Sequence, residues 1–184
     1  MLIDVGTTTT DLIPFLEKQV LLEEGSDHRR LVDQTLVYTG IVRTPLMAIA
    51  TKVPFAGEWV DLMAEHFATT AEFYCITGEL PEDAEASSSA GWKQVAKYLA
   101  EQQLCQLQDA CERLFSRPSL SSNAALVRAG SGHFLIQRIC RRFILIYVGV
   151  DSFYSLMRVS LSKWLSLPLP QYWRALLWRD RNEH

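Results

Sequence analysis

LIDVGTTTTDLIP (residues 2–14) places four consecutive threonines, Thr7 to Thr10, between two carboxylates, Asp4 and Asp11. Leu2 to Gly6 reads as a short buried strand that ends at a glycine. Thr9 to Glu17 and Gln19 to Glu24 read as two further strands, with a tight turn near Glu17 and Lys18. Pro14 cannot donate to a ladder, so it suits an edge or a bulge. The opening therefore predicts strand, threonine turn, strand, turn, strand.

A turn of this kind has a definite chemistry. Gly6 lets the backbone bend and keeps a Cβ out of a ligand's way. Residues 6–9 then present successive N–H groups with threonine hydroxyls beside them, a concave donor set suited to phosphate. Each hydrogen bond to a charged group contributes roughly 1.5–3 kcal/mol, so a few can hold a diphosphate without Lys or Arg. Asp4 would repel that anion. It makes sense beside a phosphate cradle if it retains a divalent cation, Mg²⁺ above all, through water. Asp11 lies past the turn, where it can orient a hydroxyl or a water. Read alone, GTTTT fits equally a threonine-rich turn that binds nothing; the flanking carboxylates tilt the reading toward a ligand.

A second cradle is expected near the far end. VRAGSGHFL (127–135) reads as strand, Gly130-Ser131-Gly132 turn and helix, an arrangement that lets a ligand approach the backbone at a helix N-terminus. A tight strand-to-helix turn explains the same residues without a ligand.

Between the two turns, 25–34 is polar and reads as a loop. In TLVYTGIVRTPLMAIA (35–50), Tyr38, Thr39, Gly40, Arg43 and Thr44 are polar or special residues among apolar ones. Pro45 suits the first turn of a helix with Thr44 as its N-cap. PFAG (54–57) reads as a turn. Residues 58–80 carry Val60, Met63, Ala64, Phe67, Ala71 and Tyr74 (or Phe73) at helical spacing, which predicts one long helix ended by Gly78 and Pro81. Residues 81–91 read as an acidic, serine-rich linker and 92–115 as a second helix, with Val95, Leu99, Leu104, Leu107 and Cys111 on one face. The whole is a mixed α/β order.

Composition narrows the function classes. The chain has 184 residues, 48% hydrophobic and 21% charged, with a net charge of −3, which gives no overall electrostatic case for nucleic acid. The charge is uneven: residues 1–137 hold 10 Lys/Arg and 18 Asp/Glu, a net of −8, and residues 138–184 hold 8 and 3, a net of +5. Cys75, Cys105, Cys111 and Cys140 make no CxxC pair, and the four histidines show no zinc spacing. Reduced, mostly buried thiols in a cytoplasmic protein are expected. His66 is expected to be structural or exposed. No basic stretch precedes the apolar N-terminal residues, so no signal peptide is expected. FILIYVGV (143–150) is too short to span a bilayer and reads as a buried strand.

The motifs together resemble a family. DVGTTTTDLIP looks like the second phosphate-binding hairpin of the actin, sugar-kinase and chaperone ATPase superfamily, most of all its hydantoinase A/oxoprolinase branch. LVYTGIVRTPLMAIATKVPFAG and AEHFATTAEFYCITGELPEDA resemble the members assigned to tetrahydromethanopterin-linked one-carbon transfer and methanofuran biosynthesis. Those members join an aminomethylfuran diphosphate to the phenol of a tyramine derivative and release diphosphate. The resemblance implies an α/β, ribonuclease H-like lobe with a mixed sheet flanked by helices. It implies a cradle made of Asp4, Gly6, Thr7, Thr8 and Thr9, closed by Asp11, with Gly130, Ser131 and Gly132 as the later glycine turn. Asp4 and Asp11 become the catalytic candidates, with Asp4 toward Mg²⁺. Tyr38, Thr39, Gly40, Arg43 and Thr44 become the substrate-lining candidates, although Arg43 fits a surface role and Tyr38 a core role as well. Alternatives are an ATP-dependent hydantoinase/oxoprolinase-type hydrolase, or a diphosphate- or nucleotide-binding lobe inactive without a partner.

The resemblance covers about residues 1–137. Family members are about twice as long and carry a first lobe with its own phosphate motif. A separate first-lobe chain or a homo-oligomer is therefore an expected partner, beside a phosphorylated small-molecule substrate. Residues 138–184, basic and rich in Trp (Trp164, Trp173, Trp178), depart from the family pattern. They read as a divergent continuation of the lobe or as a non-native tail.

Overall fold

The structure is a computed structural model, and it describes residues 1–16, 19–22, 25–63, 68–80, 90–120, 126–143 and 147–149. Expectations for residues 81–89, for His66 and Pro81, and for the tryptophans after 149 fall outside the described residues.

Strand β1 (Leu2–Val5) is the centre of the molecule. All four of its residues are buried, including Asp4. A strand covered on both faces needs apolar side chains in both directions, so LIDV reads as a continuous apolar run broken by one carboxylate. It pairs antiparallel with β2 (Thr10–Ile13), Asp4 directly opposite Asp11 and Val5 opposite Thr10. On its other side it pairs in parallel with β8 (Leu126–Ala129), Asp4 opposite Ala129. With β5 (Leu36–Val37) beside β2 and β9 (Tyr147–Gly149) beside β8, the sheet is five-stranded and mixed, in the order β5-β2-β1-β8-β9. Pro14 separates β2 from β3 (Phe15–Leu16), which forms a small hairpin of its own with β4 (Gln19–Val20).

The expected loop over 25–34 holds a helix instead, α1 (Asp27–Val32), with Ser26 as its N-cap accepting from the Arg29 N–H. The signal was present as Ser-Asp at the head of the segment; the surrounding polarity hid it. The short helix α2 (Leu46–Ile49) starts one residue later than expected. Pro45 is its N-cap, and the Thr44 hydroxyl turns inward to the Gly40 carbonyl instead.

The long helix expected over 58–80 is two elements. β6 (Lys52–Phe55) and β7 (Glu58–Asp61) form a hairpin closed by Ala56 (φ 51°) and Gly57 (φ 88°). Positive φ at both turn residues matches strand twist, and this turn chemistry overrides the helical spacing of Val60 and Met63, which are both exposed. Helix α3 (Thr70–Thr77) is the second element. The Glu72 carboxylate accepts from the Thr69 N–H at its start, and Gly78 (φ 86°) ends it.

Helix α4 (Ala90–Phe115) covers the span read as the second helix. Val95, Leu99, Leu107 and Leu114 form its buried face, with a buried polar residue, Gln103, in the same stripe. Helix α5 (His133–Phe143) buries Leu135, Ile136 and Ile139, and these meet Ile3, Val5 and Leu126 of the sheet in one core. It runs past residue 137, and β9 follows as the parallel neighbour of β8. Cys111 and Cys140 are buried, whereas Cys75 and Cys105 are half-buried; all four are free thiols. No helix among the described residues is long and apolar enough to cross a membrane.

Candidate functional site

The threonine turn is held from behind. The Gly6 N–H closes it on the Thr9 carbonyl at 2.9 Å. The Gly6 carbonyl accepts from the Ile41 N–H at 3.0 Å, and the Thr7 carbonyl from both Val42 (3.0 Å) and Arg43 (2.9 Å). The turn's first two carbonyls are thereby committed. The N–H groups of Thr7, Thr8 and Thr9 have no acceptor among the described residues. Thr7 and Thr8 are exposed. Donors left open at a fixed turn form an anion-binding concavity.

Parallel pairing of β1 with β8 carries the distant glycine turn to the same place. Gly130 has φ 77°, and a Cβ there would lie 2.1 Å from Asp4 Oδ1 and 2.4 Å from the Val5 carbonyl oxygen. Gly132 donates its N–H to the Val5 carbonyl at 2.9 Å, and a Cβ on it would meet Val5 Cγ1 at 2.4 Å. Both glycines are required by close approach. The result is one cleft of about 420 Å³, walled by the Gly6–Thr9 turn on one side and by Gly130 and Ser131 on the other, with Asp4 between them. Gly132 lies behind this wall.

Asp4 is 4% exposed, and its Oδ1 has no donor among the described residues. Burial first, and the facing Asp11 second, push its carboxyl up from 3.8 to about 7. Burial raises Asp11 as well, opposed by Arg30, whose guanidinium pairs with it at 2.5 Å. Arg30 is 1% exposed and comes from α1. The sequence reading missed it because 25–34 looked like a loop; the Ser26 cap was the available signal.

The substrate-lining candidates divide. Tyr38 is exposed and lines the cleft. Arg43 is exposed and is absent from the cleft wall. Thr39, Gly40 and Thr44 are buried behind the turn. The Gly40 carbonyl accepts from Thr44 Oγ1 (3.1 Å), Thr70 Oγ1 (2.8 Å) and Gln103 Nε2 (2.9 Å). Gln103 Nε2 also donates to Thr39 Oγ1 at 2.8 Å, and its Oε1 accepts from the Tyr74 hydroxyl at 2.6 Å. These residues build the backing of the threonine turn. Gln103→Leu is expected to leave the Tyr74 hydroxyl without its acceptor and Thr39 Oγ1 without its amide donor in the core. That costs about 2–4 kcal/mol, read as a lower urea midpoint. An unchanged midpoint would remove the network from the account of the fold.

Among the described residues no group of three or more His, Cys, Asp or Glu side chains is placed to hold a metal ion. The test for Mg²⁺ is therefore the orphaned Oδ1 of Asp4. One buried carboxylate beside a phosphate cradle fits a Mg²⁺ ion whose remaining ligands are phosphate oxygens and water. It does not fit a cation held by protein alone.

Fold and cleft thus define a mixed α/β protein in which open N–H donors of a threonine turn and one buried carboxylate line the same cleft. No family model matches the chain. An 83-residue stretch, 45% of this chain, is 42% identical to the (4-{4-[2-(gamma-L-glutamylamino)ethyl]phenoxymethyl}furan-2-yl)methanamine synthase of Methanocaldococcus jannaschii, covering 25% of that protein. The protein of the same name from Methanococcus vannielii is 32% identical over 82 residues, 36% of its length. The match thus spans a quarter of one relative and about a third of the other.

Proposed function

We propose that this chain supplies the diphosphate-binding part of a transferase in methanofuran biosynthesis, as a ribonuclease H-like lobe of the actin-like ATPase superfamily. The single observation that carries the proposal is the cleft itself: three N–H groups open, and one buried carboxylate oxygen without a donor, among the described residues that line it. The antiparallel hairpin at the sheet centre, flanked by a parallel strand that leads into a glycine turn, supports the lobe assignment. The relatives' names describe a phenoxymethylfuran product, which contains an aryl ether to a furylmethyl carbon.

Forming that ether requires a phenol oxygen to attack the furylmethyl carbon while its bond to the leaving group breaks. The leaving diphosphate carries away the bonding electrons, and the phenol proton passes to a base. Thr7, Thr8 and Thr9 would take up the growing charge through their N–H groups, at positions that cost no reorganisation during the reaction. Asp4 would hold the cation side of the diphosphate, and Mg²⁺ when bound supplies Lewis-acid neutralisation of the leaving group. Asp4 and Asp11, two of the three aspartates that line the cleft, would be the acceptors of the phenol proton. Tyr38, at the mouth, offers a ring to an aromatic substrate.

Calorimetry with diphosphate and with ATP, each with Mg²⁺, tests this reading. Binding of diphosphate in preference to ATP is the expected result. Preference for ATP would move the assignment to an ATP-dependent hydrolase of the hydantoinase/oxoprolinase type. Binding of neither would overturn the anion-cradle reading.

A further inference from the structure

The cleft has a charge problem that the threonine turn does not solve. Three aspartates line it, Asp4, Asp11 and Asp27, with Arg30 as the one cation among its lining residues. A diphosphate entering that space meets a net negative wall. Resting on the function proposed above, we infer that Arg30 is the positioning residue that makes the cleft admissible to an anion. It does so by pinning and neutralising Asp11, without touching the anion itself.

Several observations carry this. Arg30 is buried, at 1% exposed, and the Asp11 side chain is largely so, at 15%. A buried ion pair is a poor device for stability, because desolvation consumes the attraction and an apolar pair would serve as well. Nor is the arginine fully satisfied. Its Nη2 is shared between Asp11 and the Thr35 carbonyl (3.2 Å), while Nε is buried with no acceptor among the described residues. A buried donor left open calls for a reason other than packing. The reason is in the register: Asp11 stands directly across from Asp4 on the neighbouring strand. Without Arg30, two uncompensated carboxylates would face each other at the cradle, a site that attracts a bare cation and repels a phosphate. Arg30 is 1% exposed and commits its Nη2 to Asp11 and the Thr35 carbonyl, so it acts through Asp11.

The test uses the full chain, with diphosphate plus Mn²⁺ followed by calorimetry and Mn²⁺ alone followed by electron paramagnetic resonance. Arg30→Met is expected to weaken diphosphate binding by about tenfold or more and to tighten Mn²⁺ alone, because Asp11 is released as a second carboxylate. The double variant Arg30→Met/Asp11→Asn removes both charges together and is expected to bind diphosphate within about threefold of the unmodified chain. If the single variant does not fold, the double variant decides. Affinity as weak as a tenfold loss in the double variant would mean that Arg30 contacts the anion, and overturns the inference. So does an Arg30→Met chain that folds and binds diphosphate normally. Failure of the unmodified chain to bind diphosphate with Mn²⁺ would instead overturn the proposed function, and this inference with it.

Discussion

Asp4→Asn is expected to stabilise the chain at pH 7.5 while abolishing its cation-dependent hold on diphosphate. The carboxyl of Asp4 is raised from 3.8 to about 7 by burial and by Asp11. Between those values the native state binds a proton that the unfolded chain releases. The stability present below about pH 4 is therefore lost progressively as pH rises to about 7. At about 1.4 kcal/mol per unit, the whole effect is at most about 4 kcal/mol. Asparagine has nearly the same shape and never ionises, so the variant should lose this part of the slope. Urea unfolding at pH 4.5 and pH 7.5 reads the difference. The unmodified chain should weaken markedly over that interval, and the variant should weaken less and be the more stable at pH 7.5. A variant that is less stable at pH 7.5 would show that Asp4 has a donor and supports the fold as a carboxylate. Gain of stability with loss of binding is the behaviour expected of a strained functional group, and a structural one would lose both together.

Gly40→Ala is expected to cost about 3 kcal/mol or more and to destroy the cradle. A Cβ at this position would lie 2.5 Å from Thr7 C and from Thr8 N, and 2.7 Å from the Gly6 oxygen. All three are backbone atoms of the threonine turn, so no side chain can swing aside. The turn itself would have to leave its place on the Ile41–Arg43 backbone. Gly57→Ala is the control: its Cβ would meet nothing within 4 Å, and only the positive φ of 88° penalises it. That costs about 1–2 kcal/mol. Thermal unfolding should separate the two clearly, and diphosphate binding should survive in Gly57→Ala alone. Equal losses in both would mean that Gly40 is present for its backbone angle and that the close approach is relaxed in solution.

Both variants bear on how much of the site was legible before the fold was known. The strand, threonine turn and strand of the opening were, because Gly6, the threonines and the two aspartates are contiguous and turn preferences are local. The strand, glycine turn and helix at 126–143 were legible for the same reason. The residues of the YTG…RTP stretch were recognised as special but assigned the wrong surroundings. Thr39, Gly40 and Thr44 serve the inner side of the turn, and only Tyr38 of that group reaches the cleft. The 58–80 span shows the opposite failure. Its helical spacing was real, yet an Ala-Gly turn with two positive φ angles took Glu58 to Asp61 into a hairpin.

By itself the sequence determined the local parts: which segments could turn, and that a carboxylate stood on each side of the threonine turn. Tertiary structure decided what those parts mean together. The pairing of β1 with β8, residues more than a hundred positions apart, brought Gly130 against Asp4. Burial left Asp4 Oδ1 without a donor among the described residues, and a helix hidden in a polar segment delivered Arg30 to Asp11. Turn geometry is written in neighbouring residues through their φ preferences and side-chain size. Strand partners, burial and the charge of a cleft are set by contacts between residues far apart in the chain, and no local pattern records them.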